Sequence, residues 1–190
     1  MSITRRMNRI FAADGKVLIV AMDHGLMDGP CQGLENPGNT LRALAAGGAD
    51  AILTSYGVAR RFEKELGKLG LILRVDGGAT SLVEGSSPSR IMFSIRDALL
   101  LGADAVAVNA YPGSEKEETT LHNVAQVASE AHVWGLPVLG EMVPGGFNSP
   151  KEKRTTETVS ISARIGAEIG ADIIKTSYTP NFEAVTSTSY

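Results

Sequence analysis

One cysteine, Cys31, stands in the whole chain, and a lone cysteine cannot build an intramolecular disulfide framework; its scarcity fits a reducing cytoplasm. No apolar run approaches the roughly 20 residues of a membrane span. The N-terminal stretch MSITRRMNRIF lacks the apolar core of a secretory signal. Neither sign of charge dominates: 18 basic and 21 acidic residues, well mixed, give a net charge of -3, which argues against a nucleic-acid or anionic-membrane partner. Histidine is also scarce. Of the 3 present, His122 and His132 fall on one predicted helix, too far apart to share an ion, and His24 is left alone, so no metal is expected. The first strand is followed by MDHGLMDGP rather than a G-x-G-x-x-G fingerprint, and no cofactor is expected.

What is present is 190 residues, 43% of them hydrophobic, enough to bury one sizeable core as a single domain over residues 1–190. The tripeptide Gly-Ala-Asp occurs at 48–50, 102–104 and 170–172, each time just before a short apolar run: AILTSY, AVAVNAY and IIKTSY. With VLIVAMD, LILRVD and LPVLGEM, these make six predicted strands. Helical periodicity is read over residues 39–47, 56–67, 90–101, 116–134 and 155–169, with glycine as the usual stop. Alternating strands and helices imply a parallel sheet with crossover helices. Helix-to-strand links are short, whereas HGLMDGPCQGLENPG, GGATSLVEGSSPS and PGGFNSPKEKR follow strands. Long loops at carboxyl ends mark the working face of an α/β fold, and the missing fingerprint favours a (β/α) barrel over an open doubly wound sheet.

Strand alternation then assigns faces. Val106, Val108, Ile174 and Thr176 fall on one side; Ala105, Ala107, Asn109, Tyr111, Ile173, Lys175 and Ser177 fall on the other. Branched residues suit the helix-facing side, which turns Lys175 and Tyr111 toward the interior. A strand-end lysine often extends its amine to solvent. A nucleophilic lysine instead needs its neutral form, under about a thousandth of an unperturbed amine at pH 7, and a half-buried barrel interior favours that form.

RIGAEIGADIIKTSYTP, with VLIVAMDHG and ADAVAVNAYPGSE, resembles the archaeal-type class I fructose-bisphosphate aldolases over residues 7 to about 186. These stand in a wider Schiff-base group with deoxyribose-phosphate aldolase, an aminodideoxyheptulosonate synthase and a thiolase. The resemblance implies a (β/α)8 TIM-barrel fold and a cytoplasmic lyase. It implies a homo-oligomer that takes a phosphorylated sugar, converting fructose 1,6-bisphosphate to dihydroxyacetone phosphate and glyceraldehyde 3-phosphate. It matches Lys175 to the Schiff-base lysine, Tyr111 to a proton donor and acceptor, and Asp23 to the first-strand catalytic aspartate. His24, Glu141 and Asp76 are expected to touch substrate, although alternation aims His24 away. Glu141 departs from the bisphosphate-aldolase pattern, and pairing with Lys175 is its other reading. Arg74 and Arg154 are read as structural polar lining. Val143 stands where the heptulosonate synthases resemble one another in carrying tyrosine, which counts against that activity.

Six βα units can be counted, against the ~200–250 residues usual for eight. The enzymes it resembles continue through two more strands, whose loops hold a glycine-rich phosphate site, so the last quarter-barrel and that anchor are expected to be missing. Gly77-Gly78, Ser86-Ser87 and Arg90 are candidates for secondary anion contacts. A related phospho-sugar transferase or thiolase is the second enzymatic reading. An inactive fragment serving as a binding or oligomerisation module is the non-enzymatic one.

Overall fold

The computed structural model describes residues 2–85 and 87–189; Ser86, one of the expected anion contacts, lies outside the described residues. Its strands, in chain order, are β1 (Ile19–Ala21), β2 (Ala51–Thr54), β3 (Gly70–Arg74), a short hairpin of β4 (Asp76–Gly77) and β5 (Arg90–Ile91), then β6 (Ala105–Ala110), β7 (Val138–Met142) and β8 (Ile173–Lys175). Its helices are α1 (Ile3–Ile10), α2 (Gly25–Asp28), α3 (Pro37–Ala46), α4 (Tyr56–Arg61), α5 (Glu63–Leu66), α6 (Ile95–Leu100), α7 (Glu117–Val133), α8 (Thr156–Glu168) and α9 (Phe182–Thr186).

The six principal strands are all parallel and neighbour one another in the order β1-β2-β3-β6-β7-β8. A doubly wound sheet reverses its order at a switch point; this one never does, so the strands advance in one rotational sense, as in a barrel. The two faces carry separate cores. Ile52, Leu71, Leu73, Val106, Val108 and Val138 pack against helix residues such as Leu41, Ala59, Ala98 and Val124. Ala51, Leu53, Ile72, Ala105, Ala107 and Leu139 form the inner cluster, closed below by Ile10 of α1. The valine face is therefore the helix-facing one, as the alternation predicts.

The Gly-Ala-Asp repeat has a physical role. Gly48, Gly102 and Gly170 take φ values of 86°, 72° and 100°, a left-handed turn that glycine makes without steric penalty. Each aspartate then reaches sideways to the start of the neighbouring strand. The carboxylates of Asp50, Asp104 and Asp172 accept from the backbone N–H of Leu18, Leu71 and Val138 at 2.7, 3.1 and 2.8 Å. Helix α1, which is not among the expected helices, closes that same end of the sheet. Arg6 donates to the Ala103 carbonyl at 2.5 Å, and Arg9 Nε lies 3.0 Å from Asp104.

Two predicted helices differ from those observed. The segment 90–101 begins as strand β5, and α6 starts only after Ser94, whose hydroxyl accepts from Asp97 N while the Asp97 carboxylate accepts from Ser94 N. That reciprocal cap fixes the start of α6. The segment 56–67 divides at Phe62 into α4 and α5.

Helix α8 seats β8. A Cβ at Gly166 would stand 2.8 Å from Ile174 Cδ1 and 2.9 Å from Met142 Cγ, so only glycine lets the helix lie this close to β7 and β8. Thr176 Oγ1 donates to the Met142 carbonyl at 2.8 Å, tying the end of β8 to β7.

Candidate active site

Along the inner face, period two carries the chain from apolar to polar as the strands approach their carboxyl ends. Ile72 is followed by Arg74, Ala107 by Asn109, Leu139 by Glu141 and Ile173 by Lys175. The register sets Asn109 opposite Glu141, and Glu141 opposite Lys175. Parallel strands in that register aim all three side chains to one side, into a cavity of about 270 Å³ that Asp23, His24, Arg74, Asp76 and Phe147 also line.

Arg74 is the hub. Its Nε donates to Asp23 Oδ2 at 2.8 Å, its Nη1 to Asp76 Oδ1 at 3.3 Å, and its Nη2 to Glu141 Oε2. Each of its three nitrogens thereby donates to a carboxylate. Burial would lower the pKa of Arg74, but Asp76, Glu141 and Asp23 together more than offset it and drive it upward. Asp76, 1% exposed, also accepts from Asn109 N at 3.0 Å and Asn109 Nδ2 at 2.8 Å. Burial still wins there, and the Asp76 carboxyl titrates above the ordinary aspartate value despite Arg74 and Asn109.

Glu141 bridges the two cations. Lys175 Nζ donates to Glu141 Oε1 at 2.5 Å while Arg74 holds Oε2. Burial pulls the Glu141 carboxyl up, but Arg74 and Lys175, by charge and by hydrogen bond, outweigh it and hold it below the usual glutamate value. The pairing reading of Glu141 is the one observed. The Lys175 side chain is 39% exposed, against 9% for Glu141, and the residue borders the cavity. The carboxylates converge on Arg74, and among the described residues no group of three His, Cys, Asp or Glu side chains is arranged to hold a metal ion.

Tyr111 is placed differently from the expectation. It follows β6 on the inner side, yet it is 1% exposed, its hydroxyl has no hydrogen-bond partner among the described residues, and it does not border the cavity. Phe147 covers it edge-on, with ring centroids 5.6 Å apart, and Gly146 packs on its ring. Arg154 braces that cover by donating to the carbonyls of Gly146 and Phe147 at 3.4 and 3.3 Å. Burial, reinforced by Asp76, pushes the Tyr111 hydroxyl far above its ordinary value, and Arg74 only partly opposes it.

His24 corrects the alternation argument. Strand β1 ends at Ala21, and His24 already has helical backbone angles at the start of α2, so its side chain borders the cavity instead of turning away. Of the expected anion contacts, Gly77 borders the cavity, whereas Arg90 is exposed in the hairpin outside it. Ser87 is engaged through its carbonyl by Lys116 and through its hydroxyl by Asn148. Arg74 and Asn109 are the members underrated from sequence; both stand on the inward phase of their strands, which is the signal that points to them.

Comparison with known proteins bears on this arrangement. The profile of the DeoC/LacD family aldolases matches residues 17–189. The chain belongs to that family. Among relatives of this aldolase, a 2-amino-3,7-dideoxy-D-threo-hept-6-ulosonate synthase of Halobacterium salinarum is 34% identical over 181 residues, 95% of this chain and 67% of the relative. A class 1 fructose-bisphosphate aldolase of Thermoproteus tenax is 34% identical over 183 residues, 94% of this chain and 68% of that one. The solved structure of a Schiff-base-forming fructose-1,6-bisphosphate aldolase superposes with a TM-score of 0.85 at 32% identity, covering 99% of this chain and 77% of that one. The six parallel strands with their helices are thus part of the (β/α)8 barrel of these aldolases. No helix among the described residues is long and apolar enough to cross a membrane.

Proposed function

We propose that this aldolase works through a Schiff base on Lys175, making or breaking a carbon–carbon bond in a phosphorylated ketose, with fructose 1,6-bisphosphate as the leading substrate. The observation that carries the reading is the Lys175 amine: its side chain ends β8, borders the cavity, and is the one lysine among the described cavity-lining residues. An amine so placed attacks the ketone carbon, and the resulting iminium draws electrons from the bond to be cleaved. On this reading Asp23, held by Arg74, and His24 at the cavity wall orient substrate hydroxyls, while Asp76 holds Arg74 and Asn109 beside them. Tyr111 would serve as acid and base for the departing hydroxyl only after some rearrangement, because its hydroxyl is buried without a partner among the described residues and the residue does not border the cavity.

A heptulosonate-synthase activity is the second reading, favoured by the similarity to the Halobacterium salinarum enzyme. Val143 weighs against it: it is 6% exposed, and its aliphatic side chain carries no proton to transfer.

Borohydride reduction in the presence of dihydroxyacetone phosphate tests the reading. Mass spectrometry should find the adduct on the peptide that contains IIKTSY, and Lys175→Ala should abolish it while the chain stays folded. An adduct on another lysine, or none at all, would overturn the assignment.

A further inference from the structure

We propose that a second cavity, divided by α2 from the one that Lys175 borders, binds a small aromatic carboxylate, and that its occupancy is felt at His24. The cavity measures about 370 Å³, within the roughly 300–1,000 Å³ of small-molecule sites. It lies where the chain leaving β1 passes the start of α4.

The lining defines what fits. The rings of Tyr56 and Phe93 stack with their planes 6° apart and their centroids 4.7 Å apart. Both border the cavity together with Phe62 and Leu34, and walls of this kind favour a flat apolar body. Arg61 borders the same cavity and is exposed, and its guanidinium enters no ion pair or hydrogen bond among the described residues. An unpaired guanidinium fits a carboxylate by two parallel hydrogen bonds. Ser55 also borders the cavity, and its hydroxyl makes no capping bond to α4, which leaves a second donor for the ligand. One cation among mostly apolar walls matches a single carboxylate on a small ring. A phosphorylated sugar would bury hydroxyls there with few partners.

The partition between the cavities is thin. Ala21, Asp23, His24, Met27 and Asp28 border the first, Met22 and Gly25 border the second, and Leu26 borders both. A ligand resting on Leu26 therefore bears on the one-turn helix whose N-cap is His24. No residue of α2 is buried, and His24 gives it no capping bond, so little packing opposes a shift. Whatever effect the second cavity has on ligands of the first is returned to it in equal measure.

The probe is phenylacetate, titrated into the full chain with isotope-labelled leucine, valine and histidine side chains and followed by two-dimensional NMR. Leu34 and Val58, which border the second cavity and not the first, should shift saturably, and the His24 ring should follow with the same midpoint. Phenylacetamide, similar in shape but uncharged, should bind at least about tenfold more weakly. Inorganic phosphate should leave Leu34 and Val58 unmoved. Arg61→Gln, a change at an exposed position, should bind acid and amide alike, and the His24 response should weaken with it. Unmoved Leu34 and Val58 in wild type would overturn the site, as would a folded Arg61→Gln variant that binds phenylacetate as tightly as wild type. Phosphate binding there as tightly as phenylacetate would overturn the ligand class. Should Arg61→Gln fail to fold, equal affinity of wild type for acid and amide would overturn the role of Arg61. An unmoved His24 ring in a sample with Leu34 and Val58 saturated would overturn the coupling.

Discussion

Arg74 Nε donates to Asp23 Oδ2 over 2.8 Å, joining the third strand to the loop that leaves the first. The same guanidinium holds Asp76 and Glu141, so one side chain neutralises carboxylates arriving from three places in the chain. Arg74→Met should therefore destabilise the protein by about 3–5 kcal/mol, the usual cost of stripping a buried charge of its partner. Arg74→Lys should recover little of this, since a point-like ammonium lacks the planar fork that reaches three acceptors. Urea unfolding measures both; a loss below about 1 kcal/mol for either variant would mean that the carboxylates find other partners.

The Tyr111 hydroxyl is buried without a partner, and such a group carries a desolvation cost that no bond offsets. Tyr111→Phe should leave the melting temperature unchanged or raise it. A fall of several degrees would show that the hydroxyl is bonded. Under the proposed chemistry the same variant retains borohydride trapping but loses carbon–carbon cleavage by on the order of 10²-fold.

Acid should weaken the fold partly through Glu141. Its folded pKa lies below the ordinary 4.5, so the unfolded chain binds this proton more tightly than the folded one does. The stabilisation is present above that ordinary value and is lost as pH falls through the lower, folded one. Melting temperatures of wild type and Glu141→Gln should differ most near neutrality and converge as pH falls through the lowered, folded value of Glu141. A gap independent of pH would remove Glu141 from the linkage.

Gly166→Ala should destabilise by about 1–3 kcal/mol through overpacking, because its Cβ would fall 2.8 Å from Ile174 Cδ1 and 2.9 Å from Met142 Cγ. Since Ile174 adjoins Lys175, imine trapping should slow as well. An unperturbed melting curve would show that α8 can shift outward without cost.

The sheet and its inner face are legible in the sequence because period-two alternation and the Gly-Ala-Asp repeat are local signals. They place Lys175 and Asn109 on the inward phase near the carboxyl ends, and in the structure both border one cavity with Glu141 and Asp76. His24 is misread for an equally physical reason: alternation holds only while the backbone stays extended, and β1 ends at Ala21. Arg74 looks ordinary in sequence because its importance comes from Asp23, at a separation of 51 residues, and Glu141, at 67. The covering of Tyr111 by Phe147 depends on how the loop after β7 folds back, which no local pattern encodes. Helix α1 does carry a signal, Ile3, Met7 and Ile10 at helical spacing over eight residues, although it is not among the expected helices, whereas the two-residue strands of the β4–β5 hairpin are too short to stand out.

The aspartate that follows each Gly-Ala pair bonds sideways, to the first residues of the strand next door. Each link works as an alignment pin. If β8 slid by one residue against β7, Asp172 would lose Val138 N, and Ile174 would take the inward place of Lys175. The pins lie at the end of the sheet opposite the cavity, so the loops above can change length and chemistry without disturbing which side chains point in. A fold built this way keeps its reading frame at the bottom and leaves the top open to variation.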